Sequence, residues 1–353
     1  MNFRNRNHQE AIKIGLVGAG NIGQAYVQAM HDCKCARIVA VADIRPETAR
    51  ATAEMLGCAA FESHEAMANG CALDAVVVCT PPITHPEVCM FFLNRGIHVL
   101  CEKPLSVDVE SAKLMLETAD SAGVILTMAS KFRYAEDVVR AKSVVASGIL
   151  GDVILFENVF ASRVDMSARW NSIPTISGGG VLIDNGTHSV DIMRYLVGPI
   201  TEVDIVEGKR SQGLAVEETV LLTARTRSGA MGSIDLSWSI NKERESYIGI
   251  FGTHGTVSIG WKSSKYRQAS SRDWIVFGNG YDKLQAFRAQ IENFSRAILG
   301  QEALVITEDD ALASVRVIEA AYSALRQRRW TPVHADPIPF DSRPILIETA
   351  QAA

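Results

Sequence analysis

The chain has 353 residues, of which 47% are hydrophobic and 21% are charged, and its net charge is −5 at pH 7. This length favours two domains over a single core, and the composition is typical of a globular protein. The negative charge argues against nucleic acid as a partner, and no apolar run reaches the roughly 18 residues of a spanning helix, which argues against a membrane.

The polar start "MNFRNRNHQE" lacks the apolar core of a signal peptide and is interpreted as a short lead-in. Seven cysteines lie between Cys33 and Cys101, and an odd number does not fit a disulfide framework. Cys33 and Cys35 form a C-x-C pair, which is not the C-x-x-C pattern of zinc or redox sites. We therefore expect reduced cysteines, no metal site and a cytoplasmic protein.

From Ile12 to about Met128, short apolar strands alternate with helical stretches. The strands are "IKIGLV", "RIVAVAD", "DAVVVCT", "HVLCEK" and "VILTMA". Continuous apolar strands that alternate with helices predict a parallel, doubly wound sheet that is covered on both faces.

The stretch "IKIGLVGAGNIG" places Gly18, Gly20 and Gly23 directly after the first strand. Glycines at this spacing allow a tight turn and a close approach of the backbone to a pyrophosphate, and the helix that begins near Asn21 directs its N–H groups at the phosphates. Asp43 ends the next strand, where an acid can accept hydrogen bonds from the adenosine ribose. The sequence thus predicts a nicotinamide dinucleotide site, which fits better than a flavin site.

Asp43 and Arg45 bear on the choice between NAD and NADP. A carboxylate at Asp43 repels a 2′-phosphate and favours NAD, whereas an arginine at Arg45 can accommodate that phosphate. Arg45 could equally be a solvated residue before a helix. We expect NAD and leave NADP open.

The pattern changes after residue 130. "EDVVRAKSVVASGILGD" predicts a helix that ends at Gly148, and "VILFENVFAS" predicts a strand. "GSIDLSWSI" alternates strictly, with Ile234, Leu236, Trp238 and Ile240 on one face, which predicts a sheet covered on one side only. Its other face is left to water or to a partner subunit.

Two helices are expected to close this second half. In the first, Leu284, Phe287, Ile291, Phe294 and Ile298 recur at helical spacing, and the second extends from about Glu308 to Arg328. The proline-rich tail "TPVHADPIPFDSRPILIE" is expected to be extended. The fold class is therefore α/β, with a dinucleotide-binding domain at 1–130 and an α+β domain with an open-faced, mostly antiparallel sheet at 131–353. The alternative that a C-terminal segment packs back on the first domain is left undecided by the sequence.

Residues 178–192, "GGGVLIDNGTHSVDI", combine three glycines with Asp184, His188 and Asp191. The spacing of four and then three predicts one face of a helix that begins near Asp184. One interpretation is a capped helix with a packed histidine. The other is a functional face, with the glycines bringing the backbone close to a ligand.

The chain resembles the glucose-fructose oxidoreductase, inositol dehydrogenase and rhizopine catabolism oxidoreductases, or Gfo/Idh/MocA family, over nearly its whole length. The motifs that carry the resemblance are the glycine loop, "CTPPITH" with His85, "CEKPL" and residues 178–191. The resemblance implies a Rossmann domain followed by an open-faced sheet domain, with the active site between them. It also implies oxidation or reduction of a ring carbon of a sugar or cyclitol with NAD(P).

In this family the matching lysine, aspartate and histidine line the substrate pocket, which points here to Lys103, Asp184 and His188 as catalytic residues. Oxidation of a secondary alcohol needs a proton acceptor, and an imidazole suits this role near neutral pH. We assign acceptance of the hydroxyl proton to His188. Lys103 is assigned to stabilise the developing alkoxide, and Asp184 to orient the sugar ring. The inverse assignment, with Lys103 as the base, stays open.

Candidate contacts extend this set on both sides. The candidate cofactor-binding residues are Gly18, Gly20, Asn21, Ile22, Gly23, Asp43, Arg45, Thr80, Pro81, His85, Glu102 and Lys103. The candidate substrate-binding residues are Lys103, Arg133, Trp170, Asp184, Asn185 and His188. Arg133 could equally be a surface residue and Trp170 a packing residue, while Asp191 is expected on the helix surface or behind the site.

Two other functions remain open on the same fold. A dinucleotide-binding regulator would not need all three catalytic residues, and a glycosidase that uses bound NAD for transient oxidation would retain the cofactor site. The expected partners are a small sugar or cyclitol and further copies of the chain, as a homodimer or homotetramer through the C-terminal sheet.

Overall fold

The computed structural model describes residues 11–334. The first sheet contains six parallel strands in the order β3-β2-β1-β4-β5-β6. Its strands are β1 (Ile12–Val17), β2 (Ala36–Ala42), β3 (Ala59–Phe61), β4 (Ala75–Val78), β5 (His98–Glu102) and β6 (Leu126–Ala129). The helices between them are α1 (Asn21–Met30), α2 (Pro46–Leu56), α3 (His64–Gly70), α4 (His85–Leu93) and α5 (Val109–Ala122).

The predicted doubly wound sheet is confirmed, and its central strands are buried as their continuous apolar sequences require. The residues of β4 are fully buried between helices on the two faces of the sheet. Helix α2 begins at Pro46 and ends at Leu56, where the next residue, Gly57, adopts a left-handed conformation with a φ of +63°. Strand β3 was not predicted, because three residues are too short to show a period.

The second sheet has nine strands in the order β14-β13-β12-β11-β7-β10-β9-β8-β15. The strands are β7 (Val153–Ala161), β8 (Ile200–Glu207), β9 (Thr219–Thr226), β10 (Met231–Ser237), β11 (Ser246–Gly252), β12 (Gly255–Gly260), β13 (Ser264–Gln268), β14 (Ile275–Gly278) and β15 (Thr331–Pro332). All neighbours are antiparallel except β7 and β10, which are parallel. The predicted open-faced, mostly antiparallel sheet is thus confirmed.

The alternation predicted in "GSIDLSWSI" holds only within β10. Ile234 and Leu236 are buried, but the strand ends at Ser237 and Ile240 is 50% exposed. The chain leaves the sheet after Ser237, whose hydroxyl bonds to that of Thr219 on β9. The helices α6 (Glu136–Ala146), α7 (Pro174–Ser177) and α8 (Thr187–Val197) lie in this half of the chain.

The prediction that two final helices close the second half is wrong for the first of them. Helix α9 (Lys283–Ile298) packs on the first sheet, where Phe287, Ile291 and Phe294 share a core with Ile14. Helix α10 (Glu308–Gln327) contributes to both halves: Ala311 and Val315 join the core around β4 and β5, whereas Ile318 and Ala321 join that of the second sheet. The two C-terminal helices thus connect the halves of the chain, because α9 packs on the first sheet and α10 packs on the cores of both sheets.

Within residues 11–334, no helix is long and apolar enough to cross a membrane. The same part of the chain contains no group of three or more metal-ligating side chains that could hold a metal ion. The seven cysteines are free thiols. The predicted polar lead-in and most of the predicted extended tail lie outside the described residues.

Candidate active site

The glycine loop between β1 and α1 shows why each glycine is needed. Gly18 has a φ of +90°, and a Cβ at Gly23 would lie 2.3 Å from the Gly18 carbonyl oxygen, so these two glycines permit the turn and the close packing of the helix. A Cβ at Gly20 would meet only Arg45 Nη2 at 3.8 Å. The loop therefore leaves open space at the N-terminus of α1, where a pyrophosphate is stabilised by free N–H groups.

Asp43 lies at the end of β2 beside this loop and is 8% exposed. Its Oδ2 accepts a hydrogen bond from the Ala19 N–H at 2.9 Å, and its Oδ1 accepts from the Arg45 N–H at 2.9 Å and from Arg45 Nε at 3.2 Å. Burial disfavours the charged form, but Arg45 and the two backbone N–H groups outweigh it and lower the pKa of Asp43. The carboxylate is therefore held ionised where the adenosine ribose is expected.

A cavity of about 900 Å³ lies between the two sheets and extends from the glycine loop to the second domain. Several predicted site residues line it. They are Gly20, Asn21, Ile22, Thr80, Glu102, Lys103, Trp170, Asp184, Asn185 and His188. The cofactor loop and the predicted catalytic residues thus face one space, although the residues come from both halves of the chain.

Lys103 and Asp184 join the two halves directly. Lys103 Nζ donates to Asp184 Oδ1 at 2.5 Å and to the Asp184 carbonyl oxygen at 3.0 Å. Lys103 follows β5 at the carboxyl end of the parallel sheet, which is where ligands bind in such folds. The ion pair is partly buried, with 13% of the lysine and 26% of the aspartate side chain exposed, so both groups remain within reach of a ligand.

His188 lies in the first turn of α8 and is 7% exposed. Its ring makes an edge contact with Phe132 at 5.1 Å between centroids, and its Nδ1 has no hydrogen-bond partner among the described residues. Burial, and then the positive charges of Lys103 and Lys131, hold the pKa of His188 well below its ordinary value. The imidazole is therefore neutral at pH 7 and able to accept a proton.

The helix predicted to begin near Asp184 starts differently. Residues Leu182–Gly186 form a π-helical turn, and α8 follows directly from it. The buried Glu217 carboxylate anchors this turn, since its Oε1 accepts from the Gly180 N–H at 2.8 Å and from the Leu182 N–H at 3.1 Å. Such π-helical turns are rare in proteins, and many of those that occur lie at functional sites.

The glycines before this turn pack closely against neighbouring protein groups. A Cβ at Gly180 would lie 2.1 Å from the Glu217 carbonyl oxygen, and one at Gly179 would lie 1.9 Å from the Tyr322 hydroxyl. The backbone must pass these two groups closely to reach Asp184. The glycines thus permit close packing of the turn against Glu217 and Tyr322, and Gly179 also lines the cavity. Their predicted role in bringing the backbone close to a ligand stays a prediction.

Arg133 and Asp191 lie outside the cavity wall. Arg133 is 2% exposed and donates to Asp191 Oδ1 at 2.6 Å, and its Nη1 lies 2.9 Å from Asp310 Oδ2. Asp191 is fully buried, which excludes the helix surface and leaves the other predicted place, behind the site. This pair ties the turn after β6 to α8 and α10, and the structure gives no support for a substrate contact by Arg133.

His85 braces the loops on the cofactor side instead of lining the cavity. It is fully buried, with Nδ1 at 2.8 Å from the Pro104 carbonyl oxygen and Nε2 at 2.9 Å from the Thr80 carbonyl oxygen. Burial lowers its pKa, so that it is uncharged at pH 7. Pro81 is also absent from the cavity wall, where Pro82 takes its place.

Sequence reasoning missed several residues of the wall. Lys131 and Phe132 line the cavity just beyond the end of β6. Further unpredicted wall residues include Trp238, Asn241, Lys242, Glu243, Arg244, Ser246 and Trp261. The position of Lys131 at the carboxyl end of a parallel strand was a signal that could have found it. The aromatic residues lie on separate strands and loops, and nothing local in the sequence brings them together.

Two family models match the chain. Residues 12–130 match the oxidoreductase family with an NAD-binding Rossmann fold, and residues 138–258 match the GFO/IDH/MocA C-terminal domain. The chain belongs to the Gfo/Idh/MocA family. This confirms the predicted resemblance, the oxidoreductase class and NAD as the cofactor of the first domain.

Relatives with known names span the chain. Inositol 2-dehydrogenase of Rhizobium meliloti (strain 1021) is 26% identical over 338 residues, which cover 90% of this chain and 98% of that protein. D-glucoside 3-dehydrogenase of Escherichia coli (strain K12) is 32% identical over 192 residues, or 53% of this chain and 54% of that protein. Among solved structures, the chain is similar to the WlbA dehydrogenase from Bordetella pertussis in complex with NADH and UDP-GlcNAcA. The two superpose with a TM-score of 0.82 and 24% identity, over 94% of this chain and 100% of that chain. This similarity shows a shared fold.

Proposed function

We propose that the protein is an NAD(P)-dependent dehydrogenase that interconverts a secondary hydroxyl and a ketone on a sugar, a sugar derivative or a cyclitol. One observation carries this proposal. The Lys103–Asp184 ion pair and the neutral imidazole of His188 line the same cavity as the open glycine loop at α1. The names of the relatives, which include inositol and glucoside dehydrogenases, support a polyol ring as the substrate.

NAD, when bound, supplies the acceptor for hydride. His188 accepts the hydroxyl proton, because its imidazole is uncharged and buried beside two cations. Lys103 donates to Asp184 and stabilises negative charge on the reacting oxygen. Asp184 accepts hydrogen bonds from ring hydroxyls, while Trp170 and Asn185 border the space for the ring. The ion pair favours Lys103 as a donor over Lys103 as the base.

Incubation with NAD and a panel of polyols, with NADH absorbance as the readout, tests this function. A dehydrogenase forms NADH with at least one ring alcohol. A regulator binds NAD without turnover, and a glycosidase that uses NAD transiently cleaves glycosides without net NADH. Either of the last two results overturns the proposal.

We expect NAD to bind more tightly than NADP, and Asp43→Ser to narrow or reverse this ratio. The ionised Asp43 repels a 2′-phosphate, and its removal leaves Arg45 free to pair with that phosphate. Calorimetric titration of both dinucleotides into both proteins measures the ratio. A wild-type preference for NADP contradicts the assignment of Asp43.

The open face of the second sheet is expected to form an interface between copies of the chain. Its exposed apolar side chains come from five neighbouring strands. They are Ile154 (49% exposed), Val206 (59%), Leu221 (40%), Met231 (51%) and Phe251 (36%). Exposed apolar side chains on an uncovered sheet face favour an interaction site. Light scattering at micromolar concentration should give a dimer or tetramer mass, Leu221→Glu should lower it, and a monomer mass for the wild type contradicts the prediction.

A further inference from the structure

Lys131 is a second lysine in the floor of the cavity, beside the proposed catalytic pair. It lies one residue beyond the end of β6 and opens a 3-10 turn, Lys131–Tyr134, at the carboxyl end of the parallel sheet. Its Nζ lies 5.3 Å from the centroid of the Phe287 ring and 5.6 Å from that of Phe132. The ammonium is thus held between two aromatic rings while the residue borders the cavity.

The charge of Lys131 is not paired within residues 11–334, since no carboxylate of this part of the chain lies within ion-pair distance of its Nζ. Glu102 and Asp184 attract the charge from further away, and Lys103 and Lys283 repel it. Burial, the largest effect, lowers the pKa of Lys131 to about 8. Removal of an ammonium from water without an ion pair costs free energy of folding. Lys103, in contrast, is paired with Asp184.

Glu102, the carboxylate that attracts the Lys131 charge most strongly, is already hydrogen-bonded to other groups. Its Oε1 accepts from the Tyr26 hydroxyl at 2.9 Å, and its Oε2 accepts from the Lys103 N–H at 3.2 Å. The side of Lys131 that remains open is therefore the cavity. An electronegative oxygen of a ligand is the group that would complete its surroundings.

Lys131 and His188 are neighbours at the Phe132 ring, whose centroid lies 5.6 Å from Lys131 Nζ and 5.1 Å from the centroid of the His188 ring. Burial lowers the pKa of His188 most, and the charges of Lys103 and then Lys131 lower it further. Because Asp184 offsets the charge of Lys103, the less compensated cation near the imidazole is Lys131.

We propose that Lys131 is a positioning residue of this active site, whose ammonium holds an electronegative oxygen of the substrate and acts on His188, its neighbour at the Phe132 ring. This rests on the proposed dehydrogenase function for its substrate part. It assigns Lys131 a role that differs from that of Lys103, which is to stabilise the reacting oxygen.

The first test needs no turnover. Titration of the His188 ring by NMR, with its signal assigned by its loss in His188→Asn, compares the wild type with Lys131→Met, Lys131→Arg and Lys283→Met. The last variant is a matched control, since Lys283 is an exposed lysine whose Nζ lies 5.9 Å from the same Phe287 ring but outside the cavity wall. The pKa of His188 should rise in Lys131→Met and stay low in Lys131→Arg and Lys283→Met. An unchanged pKa in Lys131→Met overturns the effect on His188.

The second test uses the pH profile of kcat/KM with a confirmed substrate. In the wild type, kcat/KM should fall at acidic pH as His188 becomes protonated, and again above about pH 8 as Lys131 loses its charge. Lys131→Met should move the acidic limb to higher pH and remove the limb near pH 8. It should also raise KM about tenfold, as expected for a lost charge-assisted hydrogen bond, with a smaller change in kcat.

Lys131→Arg keeps the test decisive if the methionine variant does not fold. Arginine retains the positive charge and does not titrate near pH 8, so the alkaline limb should disappear while the acidic limb stays in place. A limb near pH 8 that persists in either variant overturns the substrate part. If the wild type turns over no polyol, the proposed function fails, and the NMR titration still decides whether Lys131 controls His188.

Discussion

His188→Asn is expected to lower kcat on the order of 10²- to 10⁴-fold, which is the contribution of a general base in the transition state. Asparagine has a similar size and retains hydrogen-bonding groups, but it cannot accept a proton at neutral pH. The depressed pKa of His188 means that nearly all of the wild-type enzyme carries the basic form at pH 7. The full loss should therefore be visible at neutral pH.

The affinity for NAD should barely change in His188→Asn, because the residues to which we assign dinucleotide binding, the glycine loop and Asp43, belong to the first domain and not to α8. His98→Asn is the matched control. His98 lies at the amino end of β5, opposite the cavity, where its Nδ1 accepts from the Ile125 N–H at 2.9 Å. A kcat for His188→Asn within about threefold of the wild type, far below the general-base range, would return His188 to the role of a packed residue.

The sequence predicted the first sheet well because each central strand is a continuous apolar run, and such runs form only where both faces are buried. It predicted helix α9 but not its place. The period of Phe287, Ile291 and Phe294 shows that one face is buried, but not against which sheet. Such long-range pairing depends on the shape of both surfaces and not on the local pattern.

The sequence predicted the position of site residues that belong to a motif. It did not predict the position of residues whose side-chain direction depends on tertiary contacts. Lys103 and His188 line the cavity as expected. Arg133 follows the same strand as Lys131, but the buried acids Asp191 and Asp310 draw it away from the cavity. The sequence shows a lysine and an arginine two residues apart, and only the position of the distant acids distinguishes them.

The π-helical turn shows a further limit of sequence reasoning. A spacing of four residues between Asp184 and His188 indicates an α-helix, yet the turn Leu182–Gly186 adds a residue to the hydrogen-bonded ring. The cause lies in Glu217, which is far away in the sequence and accepts from the Gly180 and Leu182 N–H groups. Those bonds fix the chain before the helix and thereby set the direction of Asp184.

Lys103→Met is expected to reduce kcat by an amount comparable to His188→Asn, because it removes the positive charge that stabilises the developing alkoxide. The substitution also leaves Asp184 partly buried without its partner, and removal of one member of a buried pair destabilises a protein. Thermal unfolding of Lys103→Met and of the double variant Lys103→Met/Asp184→Asn separates these effects. The double variant relieves the unpaired charge, so it should recover part of the lost melting temperature without recovering the rate.

Combining Lys103→Met with His188→Asn should reduce kcat by less than the product of the two single losses. The two side chains serve one proton transfer at one oxygen, and groups that act as a unit are not additive. Without the ammonium, the alkoxide is poorly stabilised, and the loss of its proton acceptor then matters less. Kinetics of the four proteins with one substrate at saturating NAD measure this coupling. Losses that multiply within error would show that Lys103 and His188 act independently, which contradicts a shared role at the reacting hydroxyl.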